Sequence, residues 1–211
     1  MQPLGTFSNV RRLLCVGAHS DDIEIGCGAT VLRLLRELPN LKITWAVFCA
    51  AGKRGDEARA ACETLTGRHD VNLRLLEFRD AHLPGDWMNV KAAVGALRDS
   101  EPDLIFSHRL DDRHQDHRLL AEFTGQTFRD HTILGYEIPK YDGDLGQPNV
   151  FVPCSECDLK RKCRACDVFK SQQSKQWFDD DTFRGLARIR GIECNSPTRF
   201  AEAFYCRKLS I

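Results

Sequence analysis

The stretch that decides the fold is Arg11-Arg12-Leu13-Leu14-Cys15-Val16-Gly17-Ala18, which runs apolar into His19-Ser20-Asp21-Asp22. Beyond Gly26 it is followed by Val31, Leu32, Leu34, Leu35 and Leu38, and then by Pro39. The first run is short and continuous, as a buried strand requires, and the second reads as a helix stopped by proline. A strand, a polar turn and a helix in that order form the opening unit of a parallel sheet.

The same alternation continues outward. The pattern predicts a strand over 41–50, a helix over 55–66, a strand over 71–78 and a helix over 89–99. The short strand Asp103-Leu104-Ile105-Phe106 follows, then a helix over 115–129 and a strand at Thr132-Ile133-Leu134-Gly135-Tyr136. Pro139, Gly143, Gly146 and Pro148 mark a long loop. Ser155 with Asp158 three residues on makes a capping box for a helix reaching about Lys170, and Phe200 to Cys206 reads as a closing strand. The expectation is an α/β fold: one Rossmann-like three-layer domain over 1–211, with a mostly parallel central sheet and helices on both faces. Residues 139–211 then form a loop, helices and a closing strand packed on that domain.

A chain of 211 residues suits one domain with a real core, and 42% apolar with 28% charged residues is ordinary for a globular protein. Thirty basic residues balance thirty acidic ones, so no net field draws a nucleic acid. Residues 1–9 lack the basic-then-apolar order of a signal peptide, and nowhere do about eighteen apolar residues run together. The expectation is a cytoplasmic protein with no membrane insertion. With no export signal, the ten cysteines read as thiols or metal ligands rather than disulfides, Cys15 and Cys49 being small core residues inside apolar runs.

Two segments carry chemistry. Ala18-His19-Ser20-Asp21-Asp22 lies where the first strand ends, which is where open parallel sheets bind ligands. An imidazole beside two carboxylates suits zinc, although a polar turn capping the next helix is the plainer reading of that segment alone. His108-Arg109-Leu110-Asp111-Asp112-Arg113-His114-Gln115-Asp116-His117-Arg118 follows another strand end. It gathers three of the seven histidines, a density that solvated charge alone does not explain.

His19 to Asp22 and His114 to His117 resemble the two signatures of the PIG-L (LmbE-like) zinc-dependent N-deacetylases. Gly26-Cys27-Gly28-Ala29-Thr30, Arg54, Glu57 and Ala201-Glu202-Ala203-Phe204 extend the resemblance over nearly the whole chain. The resemblance implies that His19, Asp22 and His117 hold one catalytic zinc, that Asp21 is the general base, and that His114 assists the oxyanion or leaving group. It further implies that Asp116 orients an imidazole and that Arg54 contacts substrate or supports the site. The implied substrate is a small acylated amino sugar or its conjugate, and related proteins assemble as homo-oligomers. Ser20 stands where the family usually has proline, and Ile23 where glutamate commonly follows the two aspartates. A metal-stabilised binding or regulatory protein with a vestigial His/Asp site is the alternative from another class.

Tyr136 to Gly143, with Tyr136 and Lys140 foremost, offers aromatic and polar groups suited to a sugar, or else a solvated connection. Cys154, Cys157, Cys163 and Cys166 form two Cys-x-x-Cys pairs, the pattern of a structural zinc. On one continuous helix the second pair faces away from the first, and Leu159, Cys163 and Cys166 share a buried-stripe spacing, which favours packing over a second ion. Gly26 and Gly28 lack the third glycine of a dinucleotide fingerprint and read as room for a close turn beside the metal.

Overall fold

Every residue of β1 (Arg12–Gly17) after the first is buried, because the strand lies inside a sheet covered on both faces. Side chains alternate along it: Leu13 and Cys15 join one apolar cluster with Trp45, Phe106 and Phe204, while Leu14 and Val16 join another with Phe48, Ile105 and Phe123. A computed structural model describes residues 7–67 and 70–209 of the protein. The remaining strands are β2 (Lys42–Val47), β3 (Asn72–Leu75), β4 (Leu104–His108), β5 (Thr132–Tyr136), β6 (Val150–Cys154) and β7 (Phe200–Cys206). They form one seven-stranded sheet in the order β3-β2-β1-β4-β5-β7-β6. The pairings from β3 to β5 are parallel, and β7 runs antiparallel to both β5 and β6. The fold is therefore the expected α/β class with a mixed sheet.

The helices are α1 (Asp22–Glu37), α2 (Lys53–Thr66), α3 (Trp87–Ala96), α4 (Gln115–Thr127), α5 (Glu156–Cys166) and α6 (Asp180–Glu193). α1, α2 and α5 pack together, α3 packs on α4, and α6 lies against β7. No described helix is long and apolar enough to cross a membrane.

Several expectations need correction. α1 begins at Asp22 rather than after Gly26, so both glycines lie inside the helix instead of in a turn beside the site. A Cβ on Gly26 would fall within the ring of Tyr136, so glycine there lets the helix rest directly on β5. β6 lies inside the stretch read as a loop. It is an edge strand, the one place where Pro153, with no N–H to donate, is tolerated. The helix opened by Ser155 has the expected reciprocal cap with Asp158 but ends at Cys166, not Lys170. α6, capped by the Asp179 carboxylate, adds a helix that the periodicity reading did not place.

Buried charge ties these layers together. Glu202 of β7 accepts the N–H groups of Ala29 (3.0 Å) and Thr30 (2.6 Å) midway along α1. Lys162 of α5 donates to that carboxylate at 2.7 Å and to the Ile25 carbonyl at 2.6 Å. α1, which carries Asp22, is thereby fixed to the sheet and to α5 through charge-assisted bonds.

Candidate metal centre

β1 and β4 are neighbours in parallel register, so their carboxyl ends deliver two chain segments to one place. After β1 the chain turns, Asp21 takes the N-cap position of α1, and Asp22 is its first residue. The Asp21 side chain makes no capping bond. Instead the His19 N–H donates to Asp22 Oδ2 at 2.7 Å. After β4, His114 caps α4 by accepting the Asp116 N–H on Nδ1 at 3.3 Å, and His117 rises from the first turn.

Three donor atoms converge. His19 Nδ1 lies 3.1 Å from His117 Nε2 and 3.3 Å from Asp22 Oδ2, and His117 Nε2 lies 3.5 Å from Asp22 Oδ1. Donors on a tetrahedral zinc at about 2.0 Å stand roughly 3.3 Å apart, so the spacing fits such an ion. The outer ring nitrogens explain the lone pairs. His117 Nδ1 is 3.1 Å from Asp112 Oδ2, and His19 Nε2 is 3.0 Å from Asp80 Oδ1 and 3.5 Å from Asp116 Oδ2. Asp112 takes the outer N–H of His117 and leaves its inner nitrogen unprotonated, the usual support of a metal-binding histidine, while the carboxylates of Asp80 and Asp116 face the outer nitrogen of His19. Each carboxylate is in turn met by a cation: Arg54 reaches Asp80 at 2.5 Å, and Lys140 Nζ reaches Asp112 at 3.1 Å.

The electrostatics agree. Burial, with His108 close by, pushes the pKa of His117 down to about 3, so the ring is neutral, as a ligand must be. Burial opposes ionisation of Asp22, but His117, His108 and His19 outweigh it and hold the carboxyl well below its ordinary range. Burial also opposes charge on His19, yet Asp22, Asp116 and Asp80 raise its pKa well above the ordinary value, the mark of surplus negative charge that a cation offsets. Asp21 is lifted to about 6 by burial and by Asp22, and among the described residues its carboxyl hydrogen-bonds only to its own backbone. Burial and the neighbouring His19 lower the pKa of His114, which keeps that ring neutral too.

Residues 14–128, more than half of the chain, match the family described as GlcNAc-PI de-N-acetylase, PIG-L. The chain belongs to the PIG-L family. The uncharacterized deacetylase YaiS of Escherichia coli (strain K12) is 31% identical over 152 residues, covering 64% of this PIG-L chain and 78% of YaiS. Among solved structures, N,N'-diacetylchitobiose deacetylase from Pyrococcus horikoshii superposes with a TM-score of 0.69 at 20% identity, covering 95% of this chain and 85% of that one. GalB, the 4-carboxy-2-hydroxymuconate hydratase from Pseudomonas putida KT2440, superposes with a TM-score of 0.77 at 16% identity, covering 95% and 98%. A hydratase and a deacetylase share this fold, so in the PIG-L chain the reaction has to be argued from the site.

Of the residues singled out in the sequence, His19, Asp21, Asp22, Arg54, His114, Asp116 and His117 lie together. Asp116 accepts the N–H groups of Ala81 (2.8 Å) and Leu83 (3.2 Å), so it anchors the segment beneath His19 besides facing that ring. Tyr136 and Lys140 are corrections to the substrate-binding set. Tyr136 is fully buried and donates to the Val16 carbonyl at 2.7 Å, and the Lys140 ammonium is enclosed between Asp112 and Asp144. Neither is free to meet a sugar.

Four residues had no role in the sequence reading. Asp112 and Asp80 support the two imidazoles. His108 stacks on His117 with centroids 3.9 Å apart, and its Nε2 accepts the Ala18 N–H at 2.9 Å. Glu24, next to the unusual Ile23, is fully buried, and burial with Asp21 and Asp22 raises its pKa well above the ordinary value. His108 and Asp112 fall inside the histidine-rich segment that the sequence singled out, while nothing in the sequence pointed to Asp80 or Glu24. The four clustered cysteines divide between β6 and α5: Cys154, Cys163 and Cys166 are buried and Cys157 is exposed. Leu159, Cys163 and Cys166 form the buried stripe their spacing suggests.

Proposed function

We propose that this chain is a zinc-dependent amide hydrolase that removes an N-acetyl group from an amino sugar or an amino-sugar conjugate. The observation that carries the reading is the meeting of His19 Nδ1, His117 Nε2 and Asp22 within 3.5 Å of one another, beside the buried carboxyl of Asp21. His19, Asp22 and His117 would hold the ion. When bound, zinc supplies Lewis acidity, lowering the pKa of a water and polarising an acyl carbonyl.

The chain's own groups supply the rest. Asp21 cannot easily share an ion with its neighbour Asp22, so its carboxylate takes the proton of the attacking water. A pKa near 6 leaves it ionised at neutral pH and still able to pass that proton to the departing amine. His114 accepts a backbone N–H on Nδ1, which leaves Nε2–H to donate to the oxygen on which charge develops. Water's hydroxyl ends on the acyl carbon, the C–N bond breaks, and acetate and a free amine result. The amino-sugar class is supported by the family's description and by the deacetylase among the structural neighbours.

The direct test is acetate release from N-acetylglucosamine and N,N'-diacetylchitobiose, before and after chelation and with zinc restored. Release that is abolished by the chelator and recovered with zinc is expected. Release unaffected by complete metal removal overturns the metal assignment, and no release from metal-loaded protein overturns the amino-sugar assignment.

A further inference from the structure

We infer that Lys140, in the loop after β5, is a positioning residue that acts through Asp112 to hold His117 in its metal-binding orientation. The inference rests on the metal reading above but concerns residues that reading does not use. The Lys140 ammonium lies 3.1 Å from Asp112 Oδ1, and 3.0 and 2.8 Å from the two oxygens of Asp144. The side chains of Lys140, Asp112 and Asp144 are 8%, 0% and 5% exposed, so water screens these contacts far less than it would an exposed pair.

Asp112 divides its oxygens between two tasks. Oδ1 accepts the His114 N–H at 2.8 Å and faces Lys140, while Oδ2 faces His117 Nδ1 at 3.1 Å. Lys140 Nζ stands 3.1 Å from that carboxylate, and both side chains are enclosed. A buried carboxylate that loses the cation beside it turns toward other donors. Such a rotation removes the acceptor that faces His117 Nδ1 and fixes the lone pair on Nε2. Asp144 completes the arrangement: it accepts the Arg113 N–H at 2.8 Å and pairs with Arg109, anchoring the loop that carries the lysine.

The test compares zinc dissociation constants, by competition with a chromophoric chelator, for the wild type, Lys140→Met, Asp112→Asn, the double variant and Asp144→Asn. Absorption of the cobalt(II)-substituted proteins is read beside them. Lys140→Met is expected to weaken zinc about 10–100-fold, the usual effect of losing a group that supports a metal ligand, and to shift the cobalt bands. In the Asp112→Asn background, whose neutral amide needs no counter-charge, adding Lys140→Met should change the constant by less than about twofold. Asp144→Asn, which cuts the loop tie but leaves the ammonium on Asp112, should weaken zinc less than Lys140→Met does. Three results overturn the inference: unchanged zinc affinity in Lys140→Met, an equal loss in both backgrounds, or a loss in Asp144→Asn as large as that in Lys140→Met. If Lys140→Met does not fold, Lys140→Gln takes its place in each of these comparisons, with the same expected and overturning results. A wild type that binds no zinc refutes the metal reading instead.

Discussion

The two imidazoles that face each other across the candidate metal position are supported alike but not equally. Behind His19 stand Asp80 and Arg54, with side chains 40% and 36% exposed; behind His117 stand Asp112 and Lys140, at 0% and 8%. Both arms read imidazole, carboxylate, cation. In the first, solvent screens the ion pair and competes for its partners, so Arg54 can exchange Asp80 for an incoming ligand at little cost. In the second, near-complete enclosure of the side chains makes the charges interdependent. The same sequence of groups serves as an adaptable wall on one side and as a fixed mount on the other.

The largest expected effect comes from removing the imidazole of the enclosed arm. His117→Ala should lose bound zinc and measurable turnover together, read by metal analysis and acetate release; activity surviving without metal would mean the arms serve no ion. Next is Asp21→Asn, which belongs to neither arm. It should retain stoichiometric zinc while kcat falls about 10²–10⁴-fold, and full activity in that variant removes Asp21 as the base. Arg54→Met then tests the open arm: zinc affinity should move by no more than about fivefold, as for a screened pair, with kcat/KM falling further than affinity does. A zinc loss matching that of Lys140→Met would erase the distinction between the arms. Smallest is Glu24→Gln. Burial, Asp21 and Asp22 all disfavour the charged form of this carboxyl, so an amide of the same shape should change unfolding free energy by about 1 kcal/mol or less, read by denaturant titration.

Much of this was legible in the sequence because parallel strands advertise themselves. Apolar runs such as Leu13 to Val16 alternate with helical stretches, and strand ends in such sheets are where polar residues gather. The metal triad could be read for that reason, since each member sits within a few residues of a strand end or in a first helical turn. Two of the residues behind it, Asp112 and Asp80, could not. Adjacent residues on a helix point about 100° apart, so Asp116 cannot reach the Nδ1 of its neighbour His117, and Asp112, from the preceding loop, does so instead. Asp80 lies far along the chain from His19, and no local spacing announces that contact. Tyr136 was misplaced because a strand's last residue and a loop's first look alike in sequence; its ring turns inward onto α1. β6 escaped notice because a five-residue edge strand containing Pro153 carries a turn signal inside its apolar run.

The bare backbone of Gly26 beneath the ring of Tyr136 gives the metal site a mechanical sensitivity out of proportion to its polarity. α1 seats directly on an aromatic plate and carries Asp22 one turn before the point of contact. A single added methyl at position 26 has nowhere to go, so it must lift the helix from its seat and drag the carboxylate out of line with two histidines that remain on other elements. Ion capture in this molecule thus depends on thickness measured at a position that bears no functional group at all.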